Sequence, residues 1–243
     1  RRLAEEFGCA WLHLHGFTTL DEKSERHFPG FAALREPMYE ESIRTFIDLF
    51  QNNRPIATLL SADHTFLNES LAKHYGIPGV VGSEWRRVDG VQAHGRGGIL
   101  GQAAVLAKQS GASRTSPILR GNWLCETVLG EKLPRPPKGV PVLPEEPPQG
   151  LSERQLTEQH SRDPRCAGCH ARMDPYGYSL EAYDAIGRHR TTDTAGNPID
   201  ARAQLADRTE LDGLEGLRRH LLTQKHDAFV RQVERKLLGY ALG

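Results

Sequence analysis

Seven prolines fall between residues 131 and 150 of this 243-residue chain. Proline fixes φ and lacks a backbone N–H, so such a segment can form neither a helix interior nor a central strand. The segment therefore predicts an extended connector. We place a domain boundary there, with a helical domain over residues 1–130, the connector over 131–150 and a second domain over 151–243.

Apolar residues before the connector recur with helical spacing. The range 38–50 has apolar side chains at positions i, i+3, i+4 and i+7, typical of an amphipathic helix: Ile43, Phe46, Ile47 and Phe50. Similar patterns predict further helices over 67–76, 99–106 and 119–129. Gly76 and Gly130 are placed to end two of them. We expect the first domain to be mainly helical.

Helix start signals recur after the connector. Ser152 and Gln155 have capping-box spacing, which predicts a helix to about His160. Asp163-Pro164 offers an N-cap and a first-turn proline, and we expect the helix that it begins to end at Asp174-Pro175. Asp212 begins another capping-box pattern, a final helix follows, and the turn-rich stretch 191–211 is predicted to hold a short hairpin. The second domain is thus predicted to be small, helical and cytochrome c-like.

Net charge argues against a nucleic-acid partner, and hydropathy argues against a transmembrane segment. The chain has 31 Lys and Arg against 31 Asp and Glu, so its formal net charge is zero and it has no strong field to attract nucleic acid. It also lacks an apolar run of about 18 residues, the minimum for a transmembrane helix. We therefore expect neither a nucleic-acid partner nor a transmembrane segment.

Two of the four cysteines stand alone in apolar sequence. Cys9 and Cys125 lie in helix-like surroundings and are predicted to be buried thiols. A disulfide between Cys9 and Cys125 is an alternative that the sequence leaves open, because it does not report the distance between them.

The other two cysteines form the chemically most informative motif. Residues 166–170 read Cys-Ala-Gly-Cys-His, the C-x-x-C-H pattern of c-type haem attachment. On one helical turn, two thiols can reach the vinyl-derived carbons of a haem edge while the following histidine binds the iron. A zinc site would need more ligands and a thioredoxin-like pair would follow a strand, so we predict covalent haem on Cys166 and Cys169 with His170 as an iron ligand.

The sixth iron position decides between electron transfer and chemistry at the iron. Met173 lies one turn after His170 and so on the same side of the haem, which argues against it. His160 ends the preceding helix and can pass the haem edge through the link at residues 161–165. We predict His160 as the distal ligand, with His94, Met173 or an open site as the alternatives.

Polar residues after the motif have weaker assignments. Arg188, together with Arg190, is predicted to pair with the haem propionates, which need cationic partners when partly buried. Asp174, Glu181 and Asp184 do not match the spacing of a calcium loop, and we expect them to cap helices and face solvent.

The order of these motifs resembles a family of large multidomain exported c-type cytochromes, abundant in planctomycete-like bacteria and composed of consecutive domains of unknown function. The resemblance covers nearly the whole chain and rests on residues 65–69, 74–77, 96–103, 114–117, 166–177, 180–181, 184, 187–188 and 237–243. It implies a haem and further domains before Arg1 and after Gly243. Because haem is attached covalently only after export, the haem prediction in turn predicts an export signal upstream of Arg1. The resemblance does not imply a particular reaction.

These observations predict a periplasmic or cell-surface protein with one haem c that transfers single electrons to a redox partner protein. An enzymatic alternative is a peroxidase-like haem, or a haem that relays electrons from an organic or sugar substrate oxidised in another domain. A third is a module in which the haem only stabilises the fold.

Overall fold

The computed structural model describes residues 1–135, 139, 143–144, 150–193 and 196–243 and is mainly helical, as predicted. The helices are α1 Phe31–Gln51, α2 Thr58–Ser61, α3 Glu69–Tyr75, α4 Ala103–Lys108, α5 Pro117–Trp123, α6 Glu153–Ser161, α7 Pro164–Tyr178, α8 Gly213–Thr223 and α9 His226–Leu242. The strands are β1 His64–Leu67, β2 Arg86–Asp89, β3 Arg202–Gln204 and β4 Glu210–Asp212. β1 pairs antiparallel with β2, and β3 with β4.

The predicted helix over 38–50 is confirmed as part of the longer α1, which tolerates a proline near its start. The helix predicted from Leu67 is wrong at its beginning, because Leu67 belongs to β1. The side chain of Asn68 accepts a hydrogen bond from the Leu71 N–H at 3.1 Å and thereby begins α3 one residue after the strand. Gly76 ends α3 with a φ of 69°, as expected of a left-handed C-terminal residue.

The two remaining helices of the first region are confirmed in modified form. A 3₁₀ turn at Ile99–Gly101 precedes α4. The predicted helix over 119–129 consists of α5, capped by the Ser116 side chain, and a π-helical turn at Leu124–Val128. Gly130 follows with a φ of 67°.

The capping box of α6 is present in full. The Gln155 N–H donates to the Ser152 hydroxyl at 3.1 Å, and the Ser152 N–H donates to the Gln155 side chain at 2.9 Å. The capping box expected at Asp212 is absent, because the Asp212 side chain makes no cap hydrogen bond to α8. The predicted hairpin is confirmed as β3 and β4.

Helix α7 does not end at Asp174-Pro175, contrary to the prediction. It contains Pro175 and continues to Tyr178. Its last turns are buried against α5, where Gly121 and Gly177 let the two backbones approach: a Cβ on Gly121 would collide with the Met173 carbonyl, and one on Gly177 with the Pro117 carbonyl. Packing of α7 against α5 stabilises this extension by more than the loss of the helix hydrogen bond at Pro175 destabilises it.

One hydrophobic core contains side chains from both sides of the predicted connector. The Trp11 indole donates to the Thr127 carbonyl at 3.0 Å, and its ring lies 6.3 Å from that of Phe229. Most of the prolines of 131–150 lie outside the described residues, so the division into domains at that segment stays a prediction.

Buried arginines attach the segment after α7 to the earlier part of the chain. Arg120, which is 1% exposed, donates to the carbonyls of Leu180, Tyr183 and Asp184 at 2.7–2.9 Å. It also lies 3.4 Å from Glu181, which forms a second ion pair with Arg190 at 3.1 Å. We call this group the arginine junction; its members are Arg120, Leu180, Glu181, Tyr183, Asp184 and Arg190. It holds the end of α7 in a fixed position.

Candidate functional site

Helix α7 presents one face to a cleft. Asp163 caps its first turn by accepting a hydrogen bond from the Arg165 N–H at 2.9 Å, and Pro164 occupies the first helical position. Cys166, Cys169, His170 and Met173 then recur at i, i+3, i+4 and i+7 and all line the cleft. Asp163 and Pro164 fix where α7 begins and therefore which face of the helix carries the C-x-x-C-H motif.

The cleft has a volume of about 930 Å³, near the upper end of the range for small-molecule and cofactor sites. Three groups of residues complete its wall: α5 with the adjoining turn, the start of the proline-rich segment, and single side chains from α6, α7 and α9. They are Ile118, Leu119, Asn122, Glu126, Gly130, Glu131, Lys132, Leu133, Pro134, Arg135, His160, Arg165 and Arg235.

His170 is held by a neighbour on its own helix. Its Nδ1 lies 2.9 Å from each carboxylate oxygen of Asp174, and the two side chains are only 8% and 6% exposed. Burial raises the pKa of Asp174, and the contact with His170 opposes that rise. Because Nδ1 is engaged, Nε2 is the nitrogen left to bind a metal.

The structure brings His160 to His170. Their ring centroids lie 5.2 Å apart with an interplanar angle of 71°, and both rings line the cleft. Burial lowers the pKa of His160, and repulsion from His170 lowers it further, which favours the neutral imidazole that binds metals. Two imidazoles on different helices thus converge beside the two thiols.

The other predicted ligands lie in different surroundings. Met173 lines the cleft from the same helix face as His170. His94 is exposed at the end of a 3₁₀ turn and is not among the cleft residues. Arg188 lines a separate cavity of about 450 Å³ beside His74 and Lys73, so the structure does not bring it to Cys166 and Cys169.

Sequence reasoning missed the cations that do line the cleft. Lys132 and Arg135 come from the proline-rich segment, Arg165 from α7 and Arg235 from α9. Arg165 pairs with Asp163 at 2.6 Å, and Arg235 donates to the Gln232 side chain. Only Arg165 lies near the motif in sequence, so no spacing rule identifies the other three.

The isolated cysteines are free and buried, which removes the disulfide alternative. Burial raises the pKa of both the Cys9 and the Cys125 thiol to about 12, so both stay protonated near neutral pH. They are packing residues of the hydrophobic core.

The donor set around the cleft fits a haem. Two thiols, a buried imidazole with its Nδ1 engaged and a second imidazole line one cavity of cofactor size.

Among the residues that the structure describes, no group of three or more His, Cys, Asp or Glu side chains is arranged to hold a metal ion. In the same residues, no helix is both long and apolar enough to cross a bilayer.

Two consecutive family models match the chain. Residues 1–77 match PSD4, a protein of unknown function (DUF1592), and residues 96–193 match PSCyt3, a protein of unknown function (DUF1588). The second match contains the C-x-x-C-H motif and both helices that carry the paired histidines. No curated protein and no solved structure matches the chain.

Proposed function

We propose that this chain is part of an exported c-type cytochrome and carries one covalently attached haem for single-electron transfer. The observation that carries the proposal is the convergence of both motif cysteines, His170 and His160 on one cleft of about 930 Å³. The cytochrome-related name of the model that matches residues 96–193 supports the same function.

Cys166 and Cys169 would hold the haem covalently. Each thiol would form one thioether bond by addition of its S–H across a vinyl group of the haem, so no leaving group would be released. His170 would bind the iron through Nε2. The bound haem would supply an iron that gains or loses one electron.

The walls of the cleft would shield and orient the cofactor. Ile118 and Leu119 from α5 and Met173 from α7 supply apolar surface, which would exclude water from a haem held in the cleft. The cations Lys132, Arg135, Arg165 and Arg235 could pair with the haem carboxylates. We therefore propose these residues, rather than Arg188, as partners of the propionates.

His160 is the best-placed second axial ligand. It lies on α6, contacts the ring of His170 and is favoured in the neutral form by burial. Met173, one turn along α7 from His170, shares its helix face. Two histidine ligands would fill the iron coordination and favour electron transfer over the peroxidase-like alternative.

Export follows from the attachment chemistry, because haem is joined covalently to such motifs outside the cytoplasm. The protein would therefore work in the periplasm or at the cell surface. It would exchange electrons with a redox partner protein or with other domains of its parent chain.

Absorption spectra of the purified protein test the coordination. We expect low-spin, six-coordinate spectra in both redox states for the wild type. His160→Ala should open the iron and allow carbon monoxide to bind rapidly to the reduced protein. Met173→Leu is the matched control, since it alters the same cleft but preserves His160, and its spectra should equal those of the wild type.

Three other results would change the assignment of the second ligand or contradict the proposal. If Met173→Leu removes the weak far-red absorption of a methionine-ligated ferric haem, Met173 is the axial ligand. If the wild-type iron is already high-spin and open, the catalytic alternative gains support. Absence of haem from protein made in an attachment-competent host would contradict the proposal itself.

A further inference from the structure

We propose that Asp174 is a positioning residue that strengthens His170 as an iron ligand and thereby lowers the reduction potential of the site. The inference rests on the proposed haem attachment. It concerns the hydrogen bond behind His170, which neither the C-x-x-C-H motif nor the family matches assign.

The geometry defines the contact closely. Asp174 follows His170 by four residues on α7, and both of its carboxylate oxygens lie 2.9 Å from the imidazole Nδ1. Both side chains are more than nine-tenths buried. The carboxylate therefore fixes the tautomer and the ring orientation, leaving Nε2 as the donor atom.

The electrostatic setting of Asp174 differs from that of the nearby buried carboxylate of Glu181. Glu181 contacts two guanidinium groups, those of Arg120 and Arg190, which neutralise its charge. The Asp174 oxygens instead engage an imidazole. Its negative charge is thus directed at the group that would bind the iron.

A charged acceptor on Nδ1 has a definite effect on the metal. It draws the Nδ1 proton more strongly than a neutral carbonyl does, and the imidazole becomes a stronger electron donor through Nε2. A stronger donor stabilises ferric iron more than ferrous iron. Low local dielectric increases the effect, because the pair is buried.

Asp174→Asn tests this inference, since asparagine keeps the shape and one acceptor oxygen but removes the charge. The equilibrium between ferric and ferrous protein should shift about tenfold or more towards ferrous, which corresponds to about 59 mV for one electron. Spectroelectrochemical titration at a fixed pH measures this shift.

Glu126→Gln is the matched control. It removes the same charge from the wall of the same cleft but does not touch His170. Its midpoint potential should change much less than that of Asp174→Asn. Equal potentials for these two variants would overturn the inference, even if both carry covalent haem.

Two further measurements separate the possible failures. If the wild-type protein carries no haem, the proposed function fails, and this inference, which rests on it, fails with it. If Asp174→Asn alone cannot be loaded, proton–nitrogen NMR of the reduced wild type replaces it. A His170 Nδ1 proton in slow exchange with water supports the inference, and one in rapid exchange overturns it.

Discussion

Helix α7 contacts two polar regions of opposite character. At its end, the arginine junction is closed: Arg120 is 1% exposed, and its guanidinium donates to three carbonyls beside Glu181. Along its middle, the cleft around Cys166 is open, with a volume of about 930 Å³. In the junction, the guanidinium is surrounded by carbonyls and a carboxylate, whereas the cleft gathers thiols and imidazoles around a cavity.

The difference separates structural chemistry from functional chemistry. Buried polar groups that satisfy each other specify how segments pack. Polar groups that converge on a cavity suit a ligand instead. Substitutions in the junction should therefore change stability, while substitutions in the cleft should change haem properties and leave the fold nearly intact.

Arg120→Ala should give the largest loss of stability. It removes a buried donor from the carbonyls of Leu180, Tyr183 and Asp184 and leaves Arg190 as the guanidinium paired with Glu181. Breaking a buried pair typically costs about 3–5 kcal/mol. Chemical denaturation of the variant measures the loss. Arg165→Ala in the cleft, which removes an exposed guanidinium, should leave the free energy of unfolding almost unchanged. Equal effects would erase the distinction between the two regions.

A pH series should sharpen the comparison through Glu153, which forms a buried ion pair with Arg114 at 2.9 Å next to the junction. Burial raises its pKa to about 7 from an ordinary value of 4.5, and Arg114 opposes the rise. The folded protein therefore retains a proton that the unfolded chain releases between these values. Its contribution is fully present below about pH 4.5 and is lost as the pH rises through about 7.

Glu153→Gln should remove this component of the pH dependence. We expect the slope of unfolding free energy against pH to flatten between pH 4.5 and 7, with a difference of up to about 3 kcal/mol across the window. The variant also loses the ion pair with Arg114 wherever Glu153 is ionised, so the slope rather than the absolute stability is the diagnostic quantity. An unchanged slope would show that Glu153 is ionised throughout.

The smallest effects compare two glycines. Gly121→Ala forces a Cβ into the Met173 carbonyl and should destabilise the α5–α7 contact by about 1–3 kcal/mol. Gly168→Ala in the motif meets no atom within 4 Å and should stabilise α7 by up to about 1 kcal/mol. Thermal unfolding of both variants checks the contrast. Matching losses would place Gly168 in a close contact too.

Short-range signals predicted the helices that carry the site. The capping box at Ser152 and the Asp163-Pro164 start gave α6 and α7, because each depends on residues within one helical turn. The i, i+4 spacing of His170 and Asp174 is compatible with their contact, but the predicted role of Asp174 as a solvent-facing capping residue is wrong. Sequence alone did not show that its surroundings are buried.

Features that depend on tertiary contacts were not predictable in this way. The extension of α7 through Pro175 requires the close approach of α5, which a single-helix pattern does not contain. The position of Arg188 in a second cavity depends on how the segment after α7 folds back onto α3. The cleft wall likewise combines residues more than one hundred positions apart, such as Leu119 and Arg235.

Haem retention after denaturation tests the central claim most directly. Protein from an attachment-competent host should exceed its sequence mass by one haem, roughly 600 Da, and should keep its haem absorption in denaturant. The Cys166→Ala/Cys169→Ala double variant should show neither property. A wild-type protein of unmodified mass, or one that releases its haem on denaturation, would contradict the account.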